Sequence, residues 1–463
     1  MNAVVVDGHT LTLADVEAVA RGVRPVRLAD EAVAAMARSR AFIESLLASG
    51  ETIYGVTTGF GRLADVRISP AEQAELQRNL VRSHAAGAGE PLADEVVRAI
   101  MLLRANALAR GHSGCRPEVV ELLIACLEQG IHPLVPRAGS VGASGDLAPL
   151  AHVALALIGE GRVRVDGRVQ PAGEALRAAG LTPLTLEAKE GLALINGTQA
   201  TTALGVLAFR RAERALATAD VAGLLSLEGL LGTPEAFRSE VHATRPHPGQ
   251  RLTGGRLCAL IEGSEIRESH RHGDPRVQDA YGLRCMPQVH GAARNALGYV
   301  GDVLRTEVNA TTDNPLVFPD EEAVVSAGNF HAQVVSAALD FLCIALADVG
   351  AICERRIERL LNPDLSGLPA FLTPEPGLRS GFMIAQVTAV DLLAELRVLA
   401  HPASVDSVPT SANQEDHVSM GLAAARKAWA AVEAFETIVA IEVLAAAQAV
   451  EYRRPLRSSA PLE

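Results

Sequence analysis

Apolar residues recur at three- and four-residue steps through most of the chain. Val335, Leu339, Leu342, Leu346, Val349, Cys353 and Leu360 form one such series, and Trp429, Val432, Phe435, Val439 and Val443 form another. A stripe with that spacing lies along one face of an α-helix, and long stripes of this kind pack against one another in bundles. A helical pattern also covers Asp30–Leu47. Thr12, followed three residues later by Asp15, marks a helix start at which each side chain can satisfy the other's backbone amide. Period-two signals are few. Ala3–Val6 reads as a strand, and "GRVRVDGRVQP" alternates valine with arginine on both sides of Asp166-Gly167, a dipeptide suited to a two-residue hairpin turn. The expected fold is mainly α, with a long-helix bundle body over residues 111–463 and a small mixed N-terminal part over 1–110.

Composition narrows the function. At 463 residues, 49% of them apolar, the chain can bury a large core and exceeds the size at which one core stops growing. A formal charge of −12, without a cluster of basic residues, offers nucleic acid no attractive field, so a small-molecule substrate is expected. No basic segment precedes the first apolar run, and the uncharged stretch Gly191–Phe209 is broken by Asn196, Thr198, Gln199, Thr201 and Thr202. These features read as a cytoplasmic protein without a membrane span. The six cysteines form no C-x-x-C pair and read as buried free thiols.

The stretch "GSVGASGDLAPLAH", Gly139 to His152, interrupts two well-patterned segments with small residues. It fits neither phosphate-loop spacing nor a G-x-S-x-G nucleophile elbow. His270 and His272 are the closest histidine pair, yet no H-E-x-x-H occurs and no metal site is expected. Only Lys189 and Lys427 could anchor pyridoxal phosphate, and neither setting suggests it: one lies in a surface-like "EAKEG" run, the other in a helix pattern. A different electrophile is available. Glycine leaves its amide nitrogen unhindered, so Gly145 N could close on the Ala143 carbonyl carbon, and loss of the Ser144 hydroxyl would leave a methylene conjugated to the ring. Taken alone, Ser-Gly-Asp is more simply a turn or helix cap.

The remaining segments favour the ring. "YGVTTGFG", "NLVRSHAAG", "GSVGASGDLAPLAH", "EGLALINGTQ", "VQDAYGLRCMPQVHGA", "NATTDNP", "GNFHA", "SGFMIAQ" and "PTSANQEDHVSMG" follow in one order over nearly the whole chain. In this the sequence resembles the aromatic amino acid ammonia-lyases, whose Ala-Ser-Gly cyclises autocatalytically into 4-methylideneimidazole-5-one. Family members commonly continue past "RPLRSSAPLE", and Thr57 stands where asparagine is common. The resemblance implies a carbon–nitrogen lyase that needs neither pyridoxal phosphate nor metal, with the prosthetic group made from Ala143, Ser144 and Gly145. It implies Tyr54 as base for the β-hydrogen and Arg284 as fork for the substrate carboxylate; Tyr281, three residues before Arg284, shares its helical face if that segment is helical, with Gln278 another turn back. Asn196 would hold the group or the substrate, and Phe330 would pack against the ring. His84, Glu415 and Met383 match positions facing the substrate side chain. Phenylalanine-specific relatives tend to carry an amide at the Glu415 position and an apolar residue at the His84 position, so this pair points to L-histidine, with trans-urocanate and ammonia as products. A homotetramer with sites at subunit interfaces is implied as well. A tyrosine or phenylalanine lyase and a 2,3-aminomutase stay open, as does a helical scaffold whose loop never matures.

Overall fold

The computed structural model describes residues 2–49, 58, 68–69 and 72–463. Contacts divide the chain into two units, one of Met1–Leu207, Asp302–Leu339 and Pro402–Arg426, the other of Ala208–Gly301, Asp340–His401 and Lys427–Glu463. Residue 110, the boundary expected from sequence, lies inside the first unit. Each unit gathers three separated segments, and four of the five divisions fall within the long helices Gln199–Gly229, Met286–Glu307, Gln333–Leu361 and Gly421–Glu451, while the fifth, His401–Pro402, follows the helix Met383–Leu399.

The mainly helical fold is as expected, and its local signals are met. Val4–Val6 pairs in parallel with Val26–Leu28 across the helix Leu13–Ala20. Thr12 and Asp15 form the reciprocal cap of that helix, each accepting the other's amide at 3.1 Å. Arg162–Val165 and Arg168–Pro171 make the hairpin, turning at Asp166 and Gly167 with φ of +47° and +77°. Strands are not confined to the first 110 residues: besides this hairpin, Leu316–Phe318 pairs antiparallel with Ala323–Val325. Val335, Leu339, Leu342, Leu346, Val349, Cys353 and Leu360 are all buried on one helix, as their spacing requires. All six cysteines are free, four buried and two half-buried. Among the described residues two helical stretches, Glu190–Gly229 and Gln333–Leu361, are long and apolar enough to cross a membrane; the apolar window of the first is wholly buried inside the fold and that of the second 61% buried.

Candidate active site

Gly139–Asp146 connects the strand Pro136–Ala138 to the helix Leu147–Leu157 and is clamped at both ends within the first unit. On one side the Gly142 carbonyl accepts from Ala332 N (3.2 Å) and Ser419 Oγ (2.9 Å), and the Val141 carbonyl accepts from Met420 N (2.7 Å). On the other, Asn196 Nδ2 donates to the Ser144 carbonyl at 2.8 Å and Asp146 N donates to Gly197 O at 2.6 Å. Gly145, at φ +74°, has no room for a side chain. A β-carbon there would lie 2.4–2.6 Å from the O, N and C atoms of Gly197.

Asp146, which the tripeptide reading treats only as part of a turn, is fully buried and anchors the loop. Its carboxylate accepts from Thr201 N (2.7 Å), Thr201 Oγ1 (2.9 Å) and Ser140 Oγ (2.9 Å) at the start of the Gln199–Gly229 helix, where negative charge is favoured. Burial outweighs these hydrogen bonds and raises its pKa above the ordinary aspartate value. Glu307 is likewise raised, first by burial, while accepting from Thr198 Oγ1 at 2.5 Å.

The Ser144 hydroxyl has a carboxylate partner: its Oγ donates to Glu415 Oε1 at 2.6 Å. Thr410 Oγ1 and Ser411 Oγ donate to the other carboxylate oxygen, so Glu415 is held with one oxygen toward the loop. The turn that delivers it is strained. Ser411, Ala412 and Asn413 stand consecutively at φ +48°, +53° and +66°, a conformation costing on the order of 1 kcal/mol for each non-glycine residue. His84 closes the helix Gln73–His84, and its Nδ1 lies 2.9 Å from Leu80 O. In the neutral ring that contact makes Nδ1 the donor and puts the lone pair on Nε2. Burial lowers the His84 pKa, against the Leu80 hydrogen bond and the charge of Glu415. Phe330 is half-buried two residues before Ala332, whose amide holds Gly142.

Ala143, Ser144, Gly145, Asn196, His84 and Glu415 are thus one cluster. Tyr281, Arg284, Gln278 and Met383 belong to the second unit. There the Arg284 guanidinium carbon stands 4.7 Å from the Tyr281 ring centroid, and the buried Arg284 Nε has no hydrogen-bond partner among the described residues. The helix spans only Tyr281–Arg284, so Gln278 precedes it in an exposed bend and does not share a helical face with Tyr281. Met383 opens the helix Met383–Leu399 and is partly exposed. Tyr54 and Thr57 lie outside the described residues. Lys189 corrects its surface-like reading: it is fully buried, with Nζ 2.9 Å from Asp313 Oδ2, because "EAKEG" turns inward at the start of the helix Glu190–Ile195. Lys427 donates to Asp340 Oδ1 at 2.7 Å.

Residues 11–463 match the family described as aromatic amino acid lyase. A histidine ammonia-lyase of Anaeromyxobacter sp. (strain K) is 56% identical over 99% of this chain and 92% of its own length. Among solved structures, that of histidine ammonia-lyase from Trypanosoma cruzi superposes with a TM-score of 0.93 at 46% identity, covering 100% of this chain and 87% of the other. Tyrosine aminomutase from Streptomyces globisporus gives 0.94 at 42% identity, with coverage of 99% and 90%.

Proposed function

This chain belongs to the aromatic amino acid lyase family, and we propose that it works as a histidine ammonia-lyase, eliminating ammonia from L-histidine to give trans-urocanate. The observation that carries the reading is the 2.6 Å hydrogen bond from Ser144 to Glu415, which joins the cyclising tripeptide to the carboxylate expected to face an imidazole.

The residues present fit a 4-methylideneimidazole-5-one built from Ala143, Ser144 and Gly145. Gly145 sits in a cradle that a β-carbon would fill, and the buried Asn196 Oδ1 has no hydrogen-bond partner among the described residues. When formed, the group supplies an electrophilic carbon that turns the substrate amine into a better leaving group. The chain's own side chains do the rest. Asn196 holds the loop through the Ser144 carbonyl. Loss of the Ser144 hydroxyl frees Glu415 Oε1, and with His84 Nε2 it presents two polar atoms to the substrate ring, which an apolar pocket could not offer. Arg284, whose buried Nε has no partner among the described residues, grips the substrate carboxylate as a fork, a geometry lysine lacks. Tyr54 and Tyr281 are the proposed proton-transfer groups, with Phe330, Met383 and Gln278 lining the site.

The reading includes a homotetramer with sites at subunit interfaces. It is supported by the apolar residues that a single chain leaves exposed on one helix, namely Ile384 (64%), Val387 (57%) and Val398 (74%).

Initial rates with L-histidine, L-tyrosine and L-phenylalanine, read by the absorbance of the conjugated acids, test the substrate. Histidine is expected to lead in kcat/KM by orders of magnitude. A preference for tyrosine or phenylalanine, or a β-amino acid product, would overturn the assignment.

A further inference from the structure

Arg104 stands in the helix Asp94–Ala109, within the apolar run "MLLRANALA", and its side chain is among the largest that are fully buried. A buried guanidinium ordinarily faces a carboxylate. Here none lies within ion-pair distance among the described residues, and the nearby Asp313 is already taken by Lys189. The guanidinium collects main-chain oxygens. One terminal nitrogen donates to Asn196 O (3.2 Å), Thr312 O (3.1 Å) and Gln199 Oε1 (2.9 Å), and the other donates to Ala193 O. Three of these four acceptors belong to the segment 193–199, the turn that carries Asn196 and Gly197.

The packing continues to the reactive tripeptide. A β-carbon on Gly197 would lie 2.3 Å from that same guanidinium nitrogen, and one on Gly145 would overlap Gly197. Guanidinium, Gly197 peptide and Gly145 are therefore stacked in direct contact. Asn196 Nδ2 on the Ser144 carbonyl and Gly197 O on the Asp146 amide add two hydrogen bonds from the same turn to the loop.

We propose that Arg104 is a positioning residue for ring closure, fixing the Asn196–Gly197 turn as the wall against which Ala143-Ser144-Gly145 is compressed. The inference rests on the proposed formation of the prosthetic group. In that closure Gly145 N bonds to Ala143 C, its hydrogen passing to the Ala143 oxygen, which leaves as water with the Ser144 amide hydrogen. A second water carries off the Ser144 hydroxyl and Cα hydrogen. No oxidant or co-reactant is needed. The step asks only that the amide nitrogen be pressed within bonding reach of a carbonyl carbon, and a mobile wall would let the loop relax. The guanidinium suits this task because its planar fork can bind several carbonyls at once, and burial strengthens each bond.

The test weighs the purified full-length chain, intact and as the peptide containing residues 143–145. The mature wild type should be lighter than its sequence by two water masses. Arg104→Met should fold with most molecules retaining both waters, a loss of cyclised fraction of about tenfold or more. Arg104→Lys, which keeps charge but not the fork, should fall between. Gly197→Ala, whose added carbon displaces the guanidinium, should reproduce the defect with Arg104 in place. A merely structural role would lower the unfolding midpoint yet leave the mass loss complete in every molecule that folds, so full cyclisation in soluble Arg104→Met or Gly197→Ala overturns the proposal. A wild type that lacks the mass loss overturns the underlying reading of the loop instead.

Discussion

Glu415 shows what single residues reveal and what they conceal. In the sequence it is one carboxylate in "ANQEDH", and only the resemblance separates it from a solvated loop residue. The structure gives it a hydrogen-bonded partner on each oxygen, Ser144 on one and Thr410 with Ser411 on the other. Such an arrangement is sensitive to charge more than to shape. Glu415→Gln should fold normally and lower kcat for L-histidine by about 10²–10⁴-fold, the range for a proton-handling or ring-binding group. Steady-state rates beside an unchanged thermal midpoint check it, and a variant as fast as its parent would remove Glu415 from the site. Asn196 was legible for a physical reason, an amide in an apolar run that must find a partner. Arg104 carries the same signal, a lone charge in the apolar run "MLLRANALA". Lys189 did not carry it, since glutamates on both sides disguise a fully buried ion pair.

At the scale of elements, caps, hairpin and helical stripes were legible because each is decided by neighbours in sequence. The turn at Ser411–Asn413 was not: three non-glycine residues at positive φ contradict local preference and persist only because tertiary contacts hold them. The Gly139–Asp146 loop lies between these cases. Its small residues announced close approach, but the partner, Gly197, is contributed from a distant turn. Gly145→Ala tests the fit. The added carbon would sit within 2.6 Å of Gly197 main chain and at a φ that alanine resists, so the loop must retreat from the wall. The chain should still fold, with the mass loss and activity nearly abolished; a fully cyclised, active Gly145→Ala enzyme would contradict the crowding described above.

The second unit is locked by a network that helical periodicity cannot foretell, because its members lie on four different helices. Asp220, His290, Arg356 and Glu442 come from Gln199–Gly229, Met286–Glu307, Gln333–Leu361 and Gly421–Glu451, and all four are buried. His290 Nδ1 faces Asp220 Oδ1 at 2.9 Å, its Nε2 lies 3.4 Å from Arg356, and Arg356 pairs with both oxygens of Glu442. Arg294 and Arg256 also reach Asp220, and Arg356 donates to Gly282 O in the turn that carries Tyr281 and Arg284. Such a network need not add net stability, because each of its charges loses hydration on burial. Burial, the dominant cause, pushes the His290 pKa below its ordinary value, with Arg356 acting in the same direction and the Asp220 hydrogen bond against it. The sign of the pH effect follows. Below about 6.5 the unfolded chain takes up a proton that the folded imidazole refuses, so stability is lost as the pH falls through that value. One such proton contributes a slope of up to about 1.4 kcal/mol per pH unit. His290→Gln keeps a donor for Asp220 and an acceptor for Arg356 but cannot titrate. Its unfolding free energy, measured by denaturant from pH 7.5 down to 5, should fall less steeply than that of the parent below pH 6.5 and run parallel to it above. Parallel curves over the whole range would show that His290 titrates alike in both states, and that the network does not exclude its proton.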